Sequence, residues 1–275
     1  MSQTLFPALP LSTWQTTRDT IQTYAQLLGK IRQAFAPPQK HWWHISLRAT
    51  AVGLTTTPIP AKDKTFELVL DFVRHQLALN TSRGETAVIS LAGQSAAAFC
   101  AETMAVLHGW GIDPAIDQGR FADETAGVYE ETAVAAFWQA FSQIDAVFKT
   151  FKAGLRQETS PVQLWPHHFD LAVLWLSGRL VPEQDPDDPE YADEQMNFGF
   201  VTGDGSIAEP YFYVTAYPAP TGLTQTGLPN NAYWHTTGWT GAILPYAALV
   251  GDDNPQETLL TFLRAVHQAG ARLMQ

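Results

Sequence analysis

Residues 14–47 recur, without a gap, as residues 138–171, and this internal match constrains the fold more than any other feature. Trp14 and Gln15 meet Trp138 and Gln139, and Arg32-Gln33 meets Arg156-Gln157. Pro37, Gln39, His44 and Leu47 meet Pro161, Gln163, His168 and Leu171. Those are eight identities in 34 positions, where average composition supplies about two. Tyr24/Phe148, Ile31/Leu155 and Ile45/Phe169 add conservative pairs. Each copy reads as an amphipathic helix, a proline break and a strand. We expect an α+β fold in one compact domain over residues 1–275. Its two related helix–antiparallel-strands–helix units, 9–112 and 131–275, are expected to carry pseudo-twofold symmetry.

Periodicity fills in the units. Trp14, Ile21, Tyr24, Leu28, Ile31 and Phe35 form one stripe of a helix that opens at Ser12 or Thr13, where Ser12 and Gln15 have capping-box spacing, and stops at Pro37-Pro38. His41 to Leu47 follows as a strand rich in aromatic and β-branched residues. Phe66, Leu68, Leu70 and Phe72 alternate with wetter residues, and strands over His75–Thr81 and Thr86–Leu91 flank Ser82-Arg83-Gly84. Turns this short favour antiparallel pairing. Helices are predicted over Ser95–His108 and Val134–Arg156, and strands over Val162–Leu176, Asn197–Thr202, Tyr211–Tyr217 and Gly241–Tyr246. Asn254-Pro255-Gln256-Glu257 opens the last helix, with Asn at the cap and Pro at the first helical position. Pro182 to Gln195, with seven carboxylates and three prolines, reads as an exposed acidic loop that lacks the glycine and terminal glutamate of a calcium loop.

Composition narrows the function. The formal net charge is −11 with no Lys/Arg run, so nucleic acid is not expected as a partner. The N-terminus has no secretory pattern and no segment is long and apolar enough to span a bilayer, so membrane association is not expected and the cytoplasm is the default location. Cys100 is the only cysteine, which rules out an intramolecular disulfide and a cysteine zinc site.

If 41–47 is a regular strand, Trp43, Ile45 and Leu47 face the core, and Trp42, His44, Ser46 and Arg48 share the other face. By the same alternation His168 and Asp170 share a face, where the carboxylate could set the imidazole tautomer. His41/His44 and His167/His168 then point to opposite faces within each pair, so neither is a local metal chelate. A metal would need His44 and His168 brought together with Asp170. Gly93-Gln94-Ser95-Ala96-Ala97 lies between strand and helix, but Ala97 replaces the second glycine of a nucleophile elbow, so Ser95 reads as a helix cap. Tyr213 and Tyr217, in the aromatic run 211–217, suit a pocket wall.

Four segments, HWWHISLRATAVGLTTTPIP (41–60), SPVQLWPHHFDLAVLWLSGR (160–179), DEQMNFGF (193–200) and PYFYVTAYP (210–218), resemble the hallmarks of a bacterial family, domain of unknown function 5996, over residues 9–272. The resemblance implies no activity, cofactor or catalytic residue. It does imply that His44, His168, Asp170 and the Tyr211–Tyr217 strand lie in signature segments. The expected function is therefore small-molecule binding in a cleft between the repeats, with or without catalysis. In an enzyme His168, Asp170 and His44 would be the catalytic residues, and Trp42, Arg48, Tyr213 and Tyr217 would bind the ligand. A non-catalytic interaction module or homodimer, and a metal-dependent hydrolase, are the alternatives. No cofactor follows from the sequence.

Overall fold

The computed structural model describes residues 5–229 and 231–274. The chain is an α+β protein with two antiparallel sheets. It divides into two compact units. An N-unit comprises Ser12–Trp138 with Leu164–Phe169, and a C-unit comprises residues 5–11, Gln139–Gln163 and the described residues from Asp170.

In the N-unit, α1 (Gln15–Phe35) precedes β1 (Arg48–Ala49), β2 (Gly53–Thr55), β3 (Ile59–Ala61), β4 (Lys64–Asp71), β5 (Gln76–Thr81), β6 (Thr86–Ser90) and α2 (Ala96–Gly109). The strands order β1-β2-β4-β5-β6, with β3 paired to β4. The alternation in β4 is realised: Phe66, Leu68 and Leu70 are buried while Glu67 and Val69 are half-buried. Tyr24 of α1 stacks on Phe99 of α2 at 3.9 Å between ring centroids. Phe35 meets Phe66 edge-on at 5.4 Å, so α1 closes over this sheet through the side chains its periodicity marked. Ser95 caps α2, its hydroxyl accepting from Ala98 N at 3.1 Å.

Both α3 (Glu131–Ala153) and the short β7 (Gln163–Trp165) straddle the division between the units; the C-unit then holds β8 (Asp170–Leu180), β9 (Asp193–Val201), β10 (Tyr211–Tyr217), β11 (Tyr233–His235), β12 (Gly241–Pro245) and α4 (Pro255–Leu273). The sheet runs β11-β12-β10-β9-β8, antiparallel throughout. One face carries Phe198, Phe200, Phe212 and Val214, all buried. Phe151 of α3 packs on Phe198 at 4.8 Å. On α4, Gly270 lies so close to Met196 that an added Cβ would stand 2.4 Å from its methyl. The opposite face carries Asn197, Gly199, Tyr211 and Tyr213. The acidic loop joins β8 to β9 and is mostly exposed, its last three residues, 193–195, belonging to β9.

Four sequence expectations are corrected. α1 starts at Gln15, after a 3-10 turn over Leu11–Thr13, and its cap position is Trp14 with no side-chain cap bond. Trp14 is instead buried against Phe137 at 5.2 Å, so packing overrides the capping box. The third helix is Glu131–Ala153, displaced by three residues from the expected span and ended before Gly154. The strand expected over Val162–Leu176 is interrupted by a turn at 166–169. Pro166 has no N–H to continue a ladder, and Phe169 takes a left-handed φ of 57°. Finally, 41–47 is no strand: Lys40–Ile45 forms 3-10 turns with His41 (φ 50°) and Trp42 (φ 56°) left-handed. The face assignments built on regular alternation therefore fall, both for Trp42/His44/Ser46/Arg48 and for His168/Asp170.

Candidate functional site

Side chains hold the 40–48 segment in place of a ladder. Arg32 of α1 donates from Nη1 to the Ser46 carbonyl. Arg48 Nη1 donates to Ser46 Oγ at 2.6 Å, and that hydroxyl donates to the Trp43 carbonyl at 2.8 Å. Two guanidinium groups thus converge on a serine with no exposed surface. The Gln39 N–H donates to His44 Nδ1 at 3.2 Å, which leaves the proton of the neutral ring on Nε2. His44 is 4% exposed, whereas Trp42 is 42% exposed and lies nearly parallel to the His44 ring at 5.7 Å. Two successive left-handed non-glycine residues cost about 1–3 kcal/mol each, and such strain concentrates at functional sites.

The electrostatics are those of crowded cations. Burial, then Arg32, lowers the Arg48 pKa to about 10. Burial also lowers Arg32. Burial, with Arg32 beside it, holds His44 below its ordinary 6.5.

The segment carrying the other matched histidine docks alongside. Leu47 and Leu164 exchange backbone hydrogen bonds, both 2.9 Å, in an antiparallel bridge. Gly29 of α1 makes room for both segments: an added Cβ would stand 2.8 Å from Pro166 Cγ and 3.4 Å from the Ile45 carbonyl. About two turns and one turn earlier, Gln22 and Gln26 donate their amides to the His167 carbonyl at 2.9 and 3.5 Å. His167 and His168 are exposed in the turn, their rings 4.4 Å apart. The structure therefore gathers Trp42, His44 and Arg48 in one segment, and sets the His168 turn beside it on α1.

The remaining expected residues belong to the C-unit. Asp170 opens β8, and its Oδ2 accepts the Tyr213 hydroxyl proton at 2.5 Å. Asn197 Nδ2 donates to the same phenol oxygen at 3.3 Å. Burial first, then the Asp170 carboxylate, raises the Tyr213 pKa well above 10, so the phenol remains a donor. Tyr217 is drawn to the acidic loop, accepting from Gln184 Nε2 at 3.0 Å and meeting Tyr191 edge-on. Sequence reasoning did not single out Arg32, Gln22, Gln26 or Asn197. Arg32 had a signal, its match to Arg156 in the repeat; the glutamines had none, because their partner is a main-chain carbonyl. Among the described residues no three His, Cys, Asp or Glu side chains come together to hold a metal.

The His44 environment fixes a pH dependence. As pH falls below about 6.5, the unfolded chain takes up a proton that the folded N-unit resists. This contribution to stability is full above 6.5 and is lost as pH falls toward the lowered folded pKa. His44→Asn retains an oxygen acceptor for Gln39 N but does not titrate. Urea unfolding at about pH 7.5 and about pH 5.5 should show a smaller loss in the variant than in wild type. Equal losses would mean the ring is not held neutral.

The fold and site thus define an α+β protein whose candidate ligand-binding groups are guanidinium, imidazole and indole on turns beside one helix. Residues 6–275 match a family of unknown function, DUF5996, and the chain belongs to that family. No curated protein matches it. No solved structure matches it. No helix among the described residues is long and apolar enough to cross a membrane.

Proposed function

We propose that the protein binds a small molecule on the N-unit, beside Ser46, where Arg48 and Arg32 supply charge, His44 an Nε2–H donor and Trp42 an apolar wall. The observation that carries this reading is the strained 41–42 backbone. It leaves an indole in solvent while burying the imidazole two residues on, beside the Arg32 guanidinium. A chain optimised only for stability would relax such a turn, since each left-handed residue is costly. A large exposed aromatic beside a few convergent polar groups is the usual composition of a ligand site. The Trp43 Nε1–H supports the same reading: it is buried with no acceptor among the described residues, and such orphan donors are rare unless something else fills them.

The test is a metabolite collection screened by thermal shift and confirmed by protein NMR. A saturable ligand is expected whose affinity falls about 10-fold or more in Trp42→Ala and in Arg48→Met, the loss of roughly 1.4 kcal/mol of contact. Circular dichroism of the variants controls for folding. Ligands that bind both variants as tightly as wild type would place binding elsewhere and end this reading.

A further inference from the structure

The chain carries 27 acidic residues against 16 basic ones, yet from Thr20 to Lys62 there is no Asp or Glu, and none from Thr159 to Phe169. Composition alone would put about five carboxylates into those two stretches. They hold instead Lys30, Arg32, Lys40, Arg48 and Lys62 with His41, His44, His167 and His168. The fold then brings these stretches together, through the Leu47–Leu164 bridge and the shared seat on Gly29. The basic groups feel one another. Arg32 acts on both His44 and Arg48. Desolvation first, then His168 and Lys30, push the His167 pKa down to about 4. His167 is exposed, so solvent screens part of that push, and the repulsion from His168 and Lys30 is the component that a ligand would reverse.

We propose that Lys30, His167 and His168 form the exposed mouth of an oxyanion site, taking the phosphate or carboxylate group of the ligand. This rests on the N-unit being a small-molecule site and names the chemistry of its ligand. Lys30 stands one residue beyond Gly29, where both signature segments meet. The two imidazoles, 4.4 Å apart, are held at that place because Gln22 and Gln26 pin the His167 carbonyl. Two imidazoles and an ammonium offer several N–H donors to one oxyanion, and charge-assisted hydrogen bonds of this kind are the strong ones. A bound oxyanion favours the protonated imidazoles and relieves the repulsion among them.

The experiment is an NMR titration of the histidine side chains against pH, in inorganic phosphate and in chloride at matched ionic strength. In phosphate the His167 pKa is expected to rise, and the His168 ring signals to shift with it saturably, with affinity at least about 10-fold weaker in Lys30→Met. An equal rise in chloride, or an unchanged phosphate response in Lys30→Met, would overturn the proposal. Phenyl phosphate separates the two sources of the same group. Tighter binding than inorganic phosphate, lost in Trp42→Ala, supports an anionic group on a larger molecule; equal binding supports a free oxyanion. If a neutral metabolite binds in a Trp42- and Arg48-dependent way while phosphate and acetate leave both histidines unmoved, the oxyanion class is overturned and the small-molecule reading stands.

Discussion

An alanine at Gly53 should leave the N-unit unable to form its sheet. Gly53 is buried in β2, between β1 and β4, and pairs with Asp71. A Cβ there would stand 1.7 Å from the Leu70 carbonyl oxygen and 2.8 Å from its carbon. Both are main-chain atoms of the adjacent strand, so no rotamer change relieves the clash; β2 must separate from β4. Leu54 and Leu70, neither with exposed surface, lose their packing with it. We expect a cost upwards of about 4 kcal/mol, the range reached only when a named steric mechanism is at work. Urea denaturation followed by tryptophan fluorescence measures it. Gly84 is the control, in the turn between β5 and β6 with φ 86° and open space around it. Gly84→Ala should cost about 1 kcal/mol, the strain of a left-handed alanine alone. If Gly53→Ala costs no more than Gly84→Ala, the β2–β4 approach is looser than described.

That pair of glycines shows which information the sequence carries openly. Gly84 is legible because Ser82-Arg83-Gly84 lies between two alternating runs, and turn chemistry is local. Gly53 is not, because what forbids a side chain there is a carbonyl seventeen positions further along the chain. The same division runs through the site. β4 was readable from period-two alternation, β5, β6, β9 and β10 from strand-like runs between turns, and the α2 cap and the α4 start from helix-start chemistry. Lys40–Ile45 was not, although it is among the most distinctive segments of the chain. Its aromatic composition favours a strand, but β-propensity reports fit to a pleated surface. Here Arg32, Arg48, Ser46 and His44 supply the hydrogen bonds that a neighbouring strand would have supplied. A backbone held by distant side chains leaves no periodic trace. The expected pairing of Asp170 with His168 assumed that regular alternation continued through Pro166. The carboxylate's bond to Tyr213 joins residues 43 positions apart, beyond any local rule.

A methyl group added at Gly199 should break that bond. Gly199 faces Tyr213 directly across the β9–β10 ladder, and its Cβ would fall 2.2 Å from the ring Cζ and 2.4 Å from the hydroxyl oxygen. The phenol must swing away. It then ceases to donate to Asp170 Oδ2 and to accept from Asn197. Asp170 is buried, and withdrawing a donor from a buried carboxylate costs more than a neutral hydrogen bond returns on folding. We expect Gly199→Ala to destabilise the protein by about 2–4 kcal/mol. Tyr213→Phe, which removes the hydroxyl and leaves the ring in place, should cost about 1–3 kcal/mol. The stronger test is their combination with a smaller residue. In Gly199→Ala/Tyr213→Ser the clash is gone, so the double variant should lose less than the separate Gly199→Ala and Tyr213→Ser losses added together, by about 1–3 kcal/mol. The phenol supplies a second reading. Ultraviolet titration of wild type should find Tyr213 among the buried tyrosines that stay protonated while exposed tyrosines ionise; burial also raises Tyr24, Tyr129, Tyr211 and Tyr246, and at Tyr213 burial and the carboxylate both oppose the anion. Gly199→Ala should return Tyr213 toward the ordinary range, since the ring is moved off the carboxylate and toward water. Additive single losses together with an unchanged phenol titration would show that Tyr213 does not rest on Gly199, and that glycine is kept at this position for some reason other than the Asp170 contact.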